Sequence, residues 1–362
     1  PCDDDDDLVE HIRRKYKALL SMCDTNLGKI LDVMDKYDMW KDTMLIVNTD
    51  HGYLLGEHQW WSKSIMPLYD EICRIPLFIW DPRSKKMGER NGELVQTIDI
   101  APTLLDYFGV PIPKDMLGVP LGKTIRENQH TRDYAIFGYH GAHVNITDGR
   151  YVYMHGPAKN ENEPLFEYTL MPCHMRAMFT PEETATAEIH KGFSFTKGSN
   201  IMKIEVAEDI KQFNPWHRYG DKLYDLQTDP KELHPLDDKE TTLKFINAMI
   251  GLMKENEAPA EQYIRLGLPN DSDMTMEMLE ERISGQSKIM VPEELSKFQF
   301  TLSAAEQIRV LMTLYAEQDC DIIKSLAYFL ENKGSAQIDT EAIEEFASES
   351  LDKQSISFIL QI

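Results

Sequence analysis

The chain is poor in positive charge. Its 38 lysines and arginines face 61 aspartates and glutamates, for a formal net charge of −23. That balance excludes nucleic-acid binding by general phosphate attraction, so no nucleic-acid partner is expected. An acidic chain that handles an anionic substrate needs local cations or a metal to reverse its own field. Long apolar runs are also missing, and no stretch approaches the roughly 20 residues of a membrane-spanning helix. Cysteine is scarce. Cys2, Cys23, Cys73, Cys173 and Cys320 are odd in number and widely scattered. Such a set points to reduced thiols rather than a disulfide framework, with one or two disulfides left open. Neither Met nor a signal-peptide pattern stands at Pro1, so a processed or truncated product is expected and localisation stays unread. No internal repeat or extended low-complexity tract is present.

What is present is enough for a large core. With 362 residues, 42% of them hydrophobic, the chain has room for two or three folding units. The most informative stretch is 44–63, MLIVNTDHGYLLGEHQWWSK. Residues 44–47 form an apolar, β-branched run, the pattern of a strand buried on both faces. Polar groups arrive where that run stops, at the carboxyl end of a strand, which is where open α/β sheets bind ligands. Asp50 offers a hard oxygen, His51 an imidazole nitrogen, and Gly52 a sharp exit for the chain. A divalent metal accepts that pair. Lys63 follows as a cation able to hold an anionic group beside it. Taken alone, an Asp-His-Gly at a strand end is most often a turn.

The wider frame decides between these readings. Asp50-His51-Gly52, the LGEH of 55–58, Trp61 and Lys63 together resemble the second-half signature of the sulfatase family, in the alkaline phosphatase superfamily. Tyr16, Asp24 and the GKIL of 28–31 resemble the helix that leads into that strand. Residues 95–105 (VQTIDIAPTLL) and 118–121 (GVPL) are similar to later family segments, and 223–232 (LYDLQTDPKE) to one near its end. Beyond about residue 266 the resemblance stops. It implies an α/β fold: a sulfatase-like mixed sheet flanked by helices and lacking its N-terminal half, then a smaller antiparallel-sheet subdomain and a helical appendage. The expected bounds are 1–130, 131–266 and 267–362.

Local patterns fill in this frame. The aspartates that follow Cys2 read as a solvated charge run before a helix N-terminus. From 8 to about 37, apolar residues fall in one helical stripe. Residues 75–80 read as a second buried strand, and Asp99 as the cap of a helix over 100–108. Short β-branched and aromatic runs at 134–139, 143–147 and 150–154 read as strands, with a hairpin at Asp148-Gly149. Residues 158–213 are weakly periodic and read as a long irregular insertion. A capping box at 303–306 opens a run of three acidic amphipathic helices.

By the resemblance, Asp50 and His51 are metal ligands, for Ca²⁺ with Mg²⁺ or Mn²⁺ as alternatives. His51 and Lys63 take catalytic roles, and Lys63 also contacts the substrate sulfate. His143, near a turn, is a candidate at the substrate rim. His58 is read as a support of the loop, Glu57 as structural, and Trp60 and Trp61 as core or as a stacking surface. The family nucleophile is a formylglycine made in a Cys/Ser-x-Pro/Ala-x-Arg motif. No cysteine here has that context: DTNL follows Cys23, RIPL Cys73, HMRA Cys173 and DIIK Cys320. The resemblance therefore implies a sulfuric ester hydrolase fragment, with a sulfated small molecule or glycan as its partner, whose nucleophile lies in the missing N-terminal half. This chain alone is expected to be inactive. Two alternatives stay open: a phosphodiesterase or phosphonate monoester hydrolase of the same superfamily, and a non-catalytic binding or scaffold protein.

Overall fold

A computed structural model of the chain describes residues 6–63, 66–159, 161–174, 177–206 and 219–289. Helix α1 (Asp6–Lys36) forms where the apolar repeat runs without proline, and Lys36 in its last turn suits the negative end of the dipole. Its stripe is largely uncovered. Met34 is buried, but Leu19, Leu20 and Ile30 are 58%, 60% and 53% exposed.

Strand β1 (Leu45–Asn48) follows, then a two-residue ribbon of β2 (Leu54–Leu55) and β3 (Trp61–Ser62). Next come a one-turn helix, α2 (Asp70–Cys73), and strand β4 (Leu77–Trp80). Strand β4 runs antiparallel to β1, from Leu45 opposite Trp80 to Asn48 opposite Leu77. The expectation that both strands are buried on two faces is not met. Most of their residues are half-buried, and Phe78 is 67% exposed. The reason is coverage: among the described residues β1 pairs with β4 alone, in a two-stranded sheet. Helices α3 (Ile100–Tyr107) and α4 (Gly122–Glu127) complete this part. Asp99 stands before α3 as predicted, yet its side chain makes no cap bond there. Its buried carboxylate instead takes both arms of Arg132 at 2.6 and 2.7 Å, plus the Gln96 and Val119 amides. A two-armed guanidinium contact outcompetes a single amide.

The second part is built on a four-stranded antiparallel sheet. Its strands are β5 (Ala135–Gly138), β6 (Val144–Thr147), β7 (Tyr151–His155) and, from much later in the chain, β11 (Lys222–Asp225), in the order β11-β7-β6-β5. The hairpin predicted at Asp148-Gly149 joins β6 to β7. Between β7 and β11, the segment expected to be irregular holds a second sheet. It consists of β8 (Phe166–Thr169), β9 (Glu188–His190) and β10 (Ile201–Glu205), in the order β8-β10-β9, with a short helix α5 (Pro181–Thr184). These strands are three to five residues long, too short for a period-two signal to stand out.

Strand alternation gives the four-stranded sheet two buried faces. On one, Ile146, Tyr153 and Leu223 pack against Phe245, Ile246, Met249 and Ile250 of helix α6 (Lys239–Glu255). Helices α7 (Ala260–Leu266) and α8 (Met276–Ile289) close this core with Tyr263, Leu266 and Leu279. On the other face, Val152, Met154 and Tyr224 pack against Leu54, Met66, Leu68, Tyr69 and Ile72. The segment after Asp-His-Gly therefore rests on the back of the antiparallel sheet. Two contact units divide at Arg282; of the second, Ile283–Ile362, only 283–289 are described. The three helices expected from 303 onward lie outside the described residues.

Phe245 is fully buried in the α6 core, where Tyr134 and Tyr151 meet it edge-on. Phe245→Ala is expected to cost about 3–5 kcal/mol of unfolding free energy, measured by urea titration.

Candidate active site

The site begins where β1 ends. The Asp50 side chain is 80% exposed, and the His51 side chain 33%. The His51 amide donates to Asp50 Oδ1 at 3.0 Å, which turns the carboxylate back toward the ring. His51 Nδ1 lies 2.8 Å from the Gly52 carbonyl oxygen. A carbonyl only accepts, so Nδ1 carries the proton and Nε2 presents a lone pair. That lone pair stands 3.1 Å from Asp50 Oδ2. Lys63 Nζ contacts the same Nε2. Asp50 has its carboxyl below the usual range: its slight desolvation pushes it up, but the His51 amide and ring pull it further down.

The loop between His51 and Lys63 is held from several sides. The Gly52 amide donates to the Ile72 carbonyl at 2.7 Å, which sets the chain hard against α2. A Cβ at Gly52 would stand 1.7 Å from the Glu71 carbonyl oxygen, so this position admits only glycine. Gly56 turns the chain with a φ of +99°. Glu57 folds back to accept from the Leu55 amide at 2.5 Å. Arg13, from α1, grips the same turn through the Leu55 carbonyl at 2.9 Å and the Glu57 carboxylate at 3.3 Å. His58 takes the left-handed conformation, stacks on Tyr69 with ring centroids 3.6 Å apart, and meets Glu71 Oε2 at 3.2 Å. The carboxyl of Glu71 sits below its ordinary range: burial raises it, but His58, a backbone amide and Lys231 together lower it further. At the far end, the Tyr139 hydroxyl donates to the Lys63 carbonyl.

The structure therefore brings Asp50, His51 and Lys63 into one cluster. Among the described residues no group of three or more His, Cys, Asp or Glu converges, so Asp50 and His51 stand as a pair of metal-type donors. His143 is elsewhere. Expected at the substrate rim, it is instead 2% exposed, with Nε2 at 2.9 Å from the Gly220 carbonyl. The turn before β6 directs it inward between sheet and chain, where burial pushes its pKa down to about 4. His140 is exposed and bonds the Phe166 carbonyl at 2.9 Å. Trp60 packs against the loop core and meets Tyr219 edge-on at 6.2 Å. Sequence reasoning missed Arg13, Glu71 and Tyr139. Each acts across 13 to 76 residues of chain, and no local pattern marks it.

Comparison with known proteins bears on this arrangement. The family profile named Sulfatase matches residues 1–110, and that named N-sulphoglucosamine sulphohydrolase, C-terminal, matches 56–194. An N-acetylglucosamine-6-O-sulfatase of Bacteroides thetaiotaomicron is 36% identical over 116 residues, covering 32% of this chain and 20% of that one. Human arylsulfatase K is 30% identical over 147 residues, covering 38% of this chain and 27% of that one. A solved protein in complex with its substrate D-glucosamine-2-N,6-O-disulfate is 21% identical, with a TM-score of 0.41, covering 65% of this chain and 38% of that one. The two profiles, the curated relatives and the Asp-His-Gly strand end support membership of the alkaline phosphatase superfamily. Within it, residues 1–194 are similar to the sulfatase family, as both profiles describe it. It spans 20% and 27% of the length of the two curated relatives just named.

Two outcomes follow from this geometry. Gly52→Ala forces a methyl group into a backbone carbonyl, and overpacking of this kind costs about 1–3 kcal/mol or more. A lower melting temperature, with loss of the contact between Lys63 and His51 in a crystal structure, is the expected result. The second concerns acid. His155 is fully buried, donates from Nε2 to the Leu266 carbonyl, and has its pKa pushed down to about 3 by burial and the Arg282 cation. A histidine depressed in the fold binds its proton more readily when unfolded, so its contribution to stability is complete above 6.5 and lost as pH falls toward 3. His143 behaves alike between 6.5 and about 4. Glu232 opposes them above pH 4.5, because burial raises its carboxyl to about 8. His155→Gln should thus reduce the slope of stability against pH by about one proton, or about 1.4 kcal/mol per pH unit, between pH 6 and 4 in urea titrations.

Proposed function

We propose that residues 44–63 supply one side of a sulfuric ester hydrolase site, with Asp50 and His51 as ligands for a divalent cation and Lys63 as a sulfate contact. The observation that carries this reading is the meeting of Lys63 Nζ, His51 Nε2 and Asp50 Oδ2 at the end of β1. The donor set fits the cation in part. His51 Nε2 and the exposed Asp50 carboxylate lie 3.1 Å apart, close enough to share one cation. Ca²⁺ prefers six to eight oxygen-rich ligands, so two donors make part of a shell; Mg²⁺ and Mn²⁺ are alternatives. When bound, the cation draws charge from the non-bridging sulfate oxygens.

The chain's own residues do the rest of what this half can do. Lys63 places an ammonium beside those oxygens and stabilises the transferring group as its charge grows. The hydrogen bond from His51 Nδ1 to Gly52 fixes the ring tautomer and keeps Nε2 available. Tyr139 holds the Lys63 backbone, and Gly52 against α2 fixes where the strand end points. The formylglycine nucleophile and the remaining ligands come, on this reading, from polypeptide outside these 362 residues. Exposed apolar groups support it: Leu19, Leu20, Phe78 and Phe108 are 58%, 60%, 67% and 72% exposed. Soluble proteins seldom leave so many large apolar groups in water without a use for them. The substrate is a sulfate ester of a small molecule or glycan. The sulfatase names of the matched relatives support that class.

The test uses the complete enzyme, with this chain joined to the polypeptide that carries the nucleophile. Lys63→Ala should lower kcat/KM on an aryl sulfate by about 2–4 kcal/mol in transition-state terms, with the melting temperature unchanged. Activity within about twofold of the parent would remove Lys63 from the site. Faster turnover of an aryl phosphodiester than of the sulfate would move the chain to the other branch of the superfamily.

A further inference from the structure

The segment at 223–232, near the end of the family resemblance, has no role in the site as described so far. Its last residue, Glu232, is 1% exposed and sits in a turn with a left-handed φ of 49°. One carboxyl oxygen, Oε2, accepts from the Asp70 amide at 2.6 Å, across 162 residues of chain. The other, Oε1, is buried and has no hydrogen-bond partner among the described residues. A carboxyl buried with a single bond is costly, which makes that bond the feature to explain.

Asp70 opens α2, and the first amides of a helix have no partner inside it. Tyr69, at the cap position, makes no side-chain bond to them. Glu232 takes that place from the other part of the fold. Helix α2 in turn carries two of the contacts that hold the strand end and its loop: the Ile72 carbonyl bonds the Gly52 amide at 2.7 Å, and Glu71 bonds His58 at 3.2 Å. Tyr69 and Tyr224 pack in the same buried cluster, so β11 and α2 approach as one unit.

We infer that Glu232 is a positioning residue for the Asp50–His51–Lys63 cluster, acting through α2 by capping the Asp70 amide and thereby fixing Gly52 and His58. This rests on the site reading given above. The electrostatics agree with a cap that does not depend on charge. Burial, and then the neighbouring Asp70, Glu71 and Asp229, raise the carboxyl to about 8 despite the Asp70 amide, so near neutrality the group is largely protonated. A protonated carboxyl still accepts through its carbonyl oxygen, as does the amide of glutamine.

The experiment follows amide exchange at Gly52 and the ¹⁵N signature of the His51 tautomer in the full 362-residue chain, without metal or substrate. Glu232→Ala should speed Gly52 exchange about tenfold, as expected for one lost hydrogen bond, and blur the Nδ1–H signature. Glu232→Gln should keep both within about twofold of the parent, since it restores the acceptor. Asp70→Pro removes the donor at a helix position that tolerates proline, and should match Glu232→Ala; it carries the test if the alanine variant does not fold. Ile250→Ala, in the core on the opposite face of the sheet, controls for general destabilisation. It should lower the melting temperature and leave Gly52 exchange unchanged after correction for global stability. Parent-like Gly52 exchange in Asp70→Pro, or an equal response in Ile250→Ala, overturns the inference. Failure of the sulfatase reading looks different: no aryl sulfate turnover in the complete enzyme, with the Gly52 response intact.

Discussion

The site depends on one close approach, that of Gly52 to the backbone of α2. The amide of Gly52 sits 2.7 Å from the Ile72 carbonyl, and no side chain fits between the two segments. Everything chemical about the strand end follows from this contact. It sets the direction in which Asp50 and His51 leave β1 and offers the Gly52 carbonyl to His51 Nδ1. It also starts the loop on a path that returns Lys63 to the imidazole twelve residues later. A loop closed over so short a span loses little entropy, but its ends must be held firmly for two cationic and acceptor groups to meet.

The antiparallel sheet makes that hold possible. A strand buried on both faces alternates its side chains between two cores, and β7 does so: Tyr153 faces α6 while Val152 and Met154 face the site loop. The loop core of Leu54, Met66, Leu68, Tyr69 and Ile72 therefore rests on a surface already stiffened from behind. Polar ties reinforce it at the edges, through Arg13 from α1, Tyr139 after β5 and Glu232 after β11. Around β1 the situation is reversed. Its sheet has two strands, and its neighbours α1 and β4 expose large apolar groups.

Much of the local structure was legible from residue order. The helix read from 8 to 37 forms as Asp6–Lys36; strands β5 and β6 fall within the runs read at 134–139 and 143–147, and β7, Tyr151–His155, passes the run read at 150–154 by one residue. Helix α6 went unread, although Asp238 caps it and Phe245, Ile246, Met249, Ile250 and Met253 repeat at helical spacing. The strands of the 158–213 region carry no comparable pattern, because they are short and their burial is uneven.

Sequence by itself determined the donors and their order. Asp50, His51 and Gly52 follow an apolar run, and Lys63 lies one loop beyond, a spacing that any fold must accommodate. Tertiary structure alone decided which groups meet. It joined Lys63 to His51 and sent His143 inward to Gly220. It also turned Asp99 from a helix cap into the partner of Arg132, and brought Glu232 to an amide 162 residues away. The physical reason is range. Periodicity and capping are settled within a few residues by backbone geometry, whereas a buried polar group is settled by whichever partner the packed chain brings within hydrogen-bonding distance.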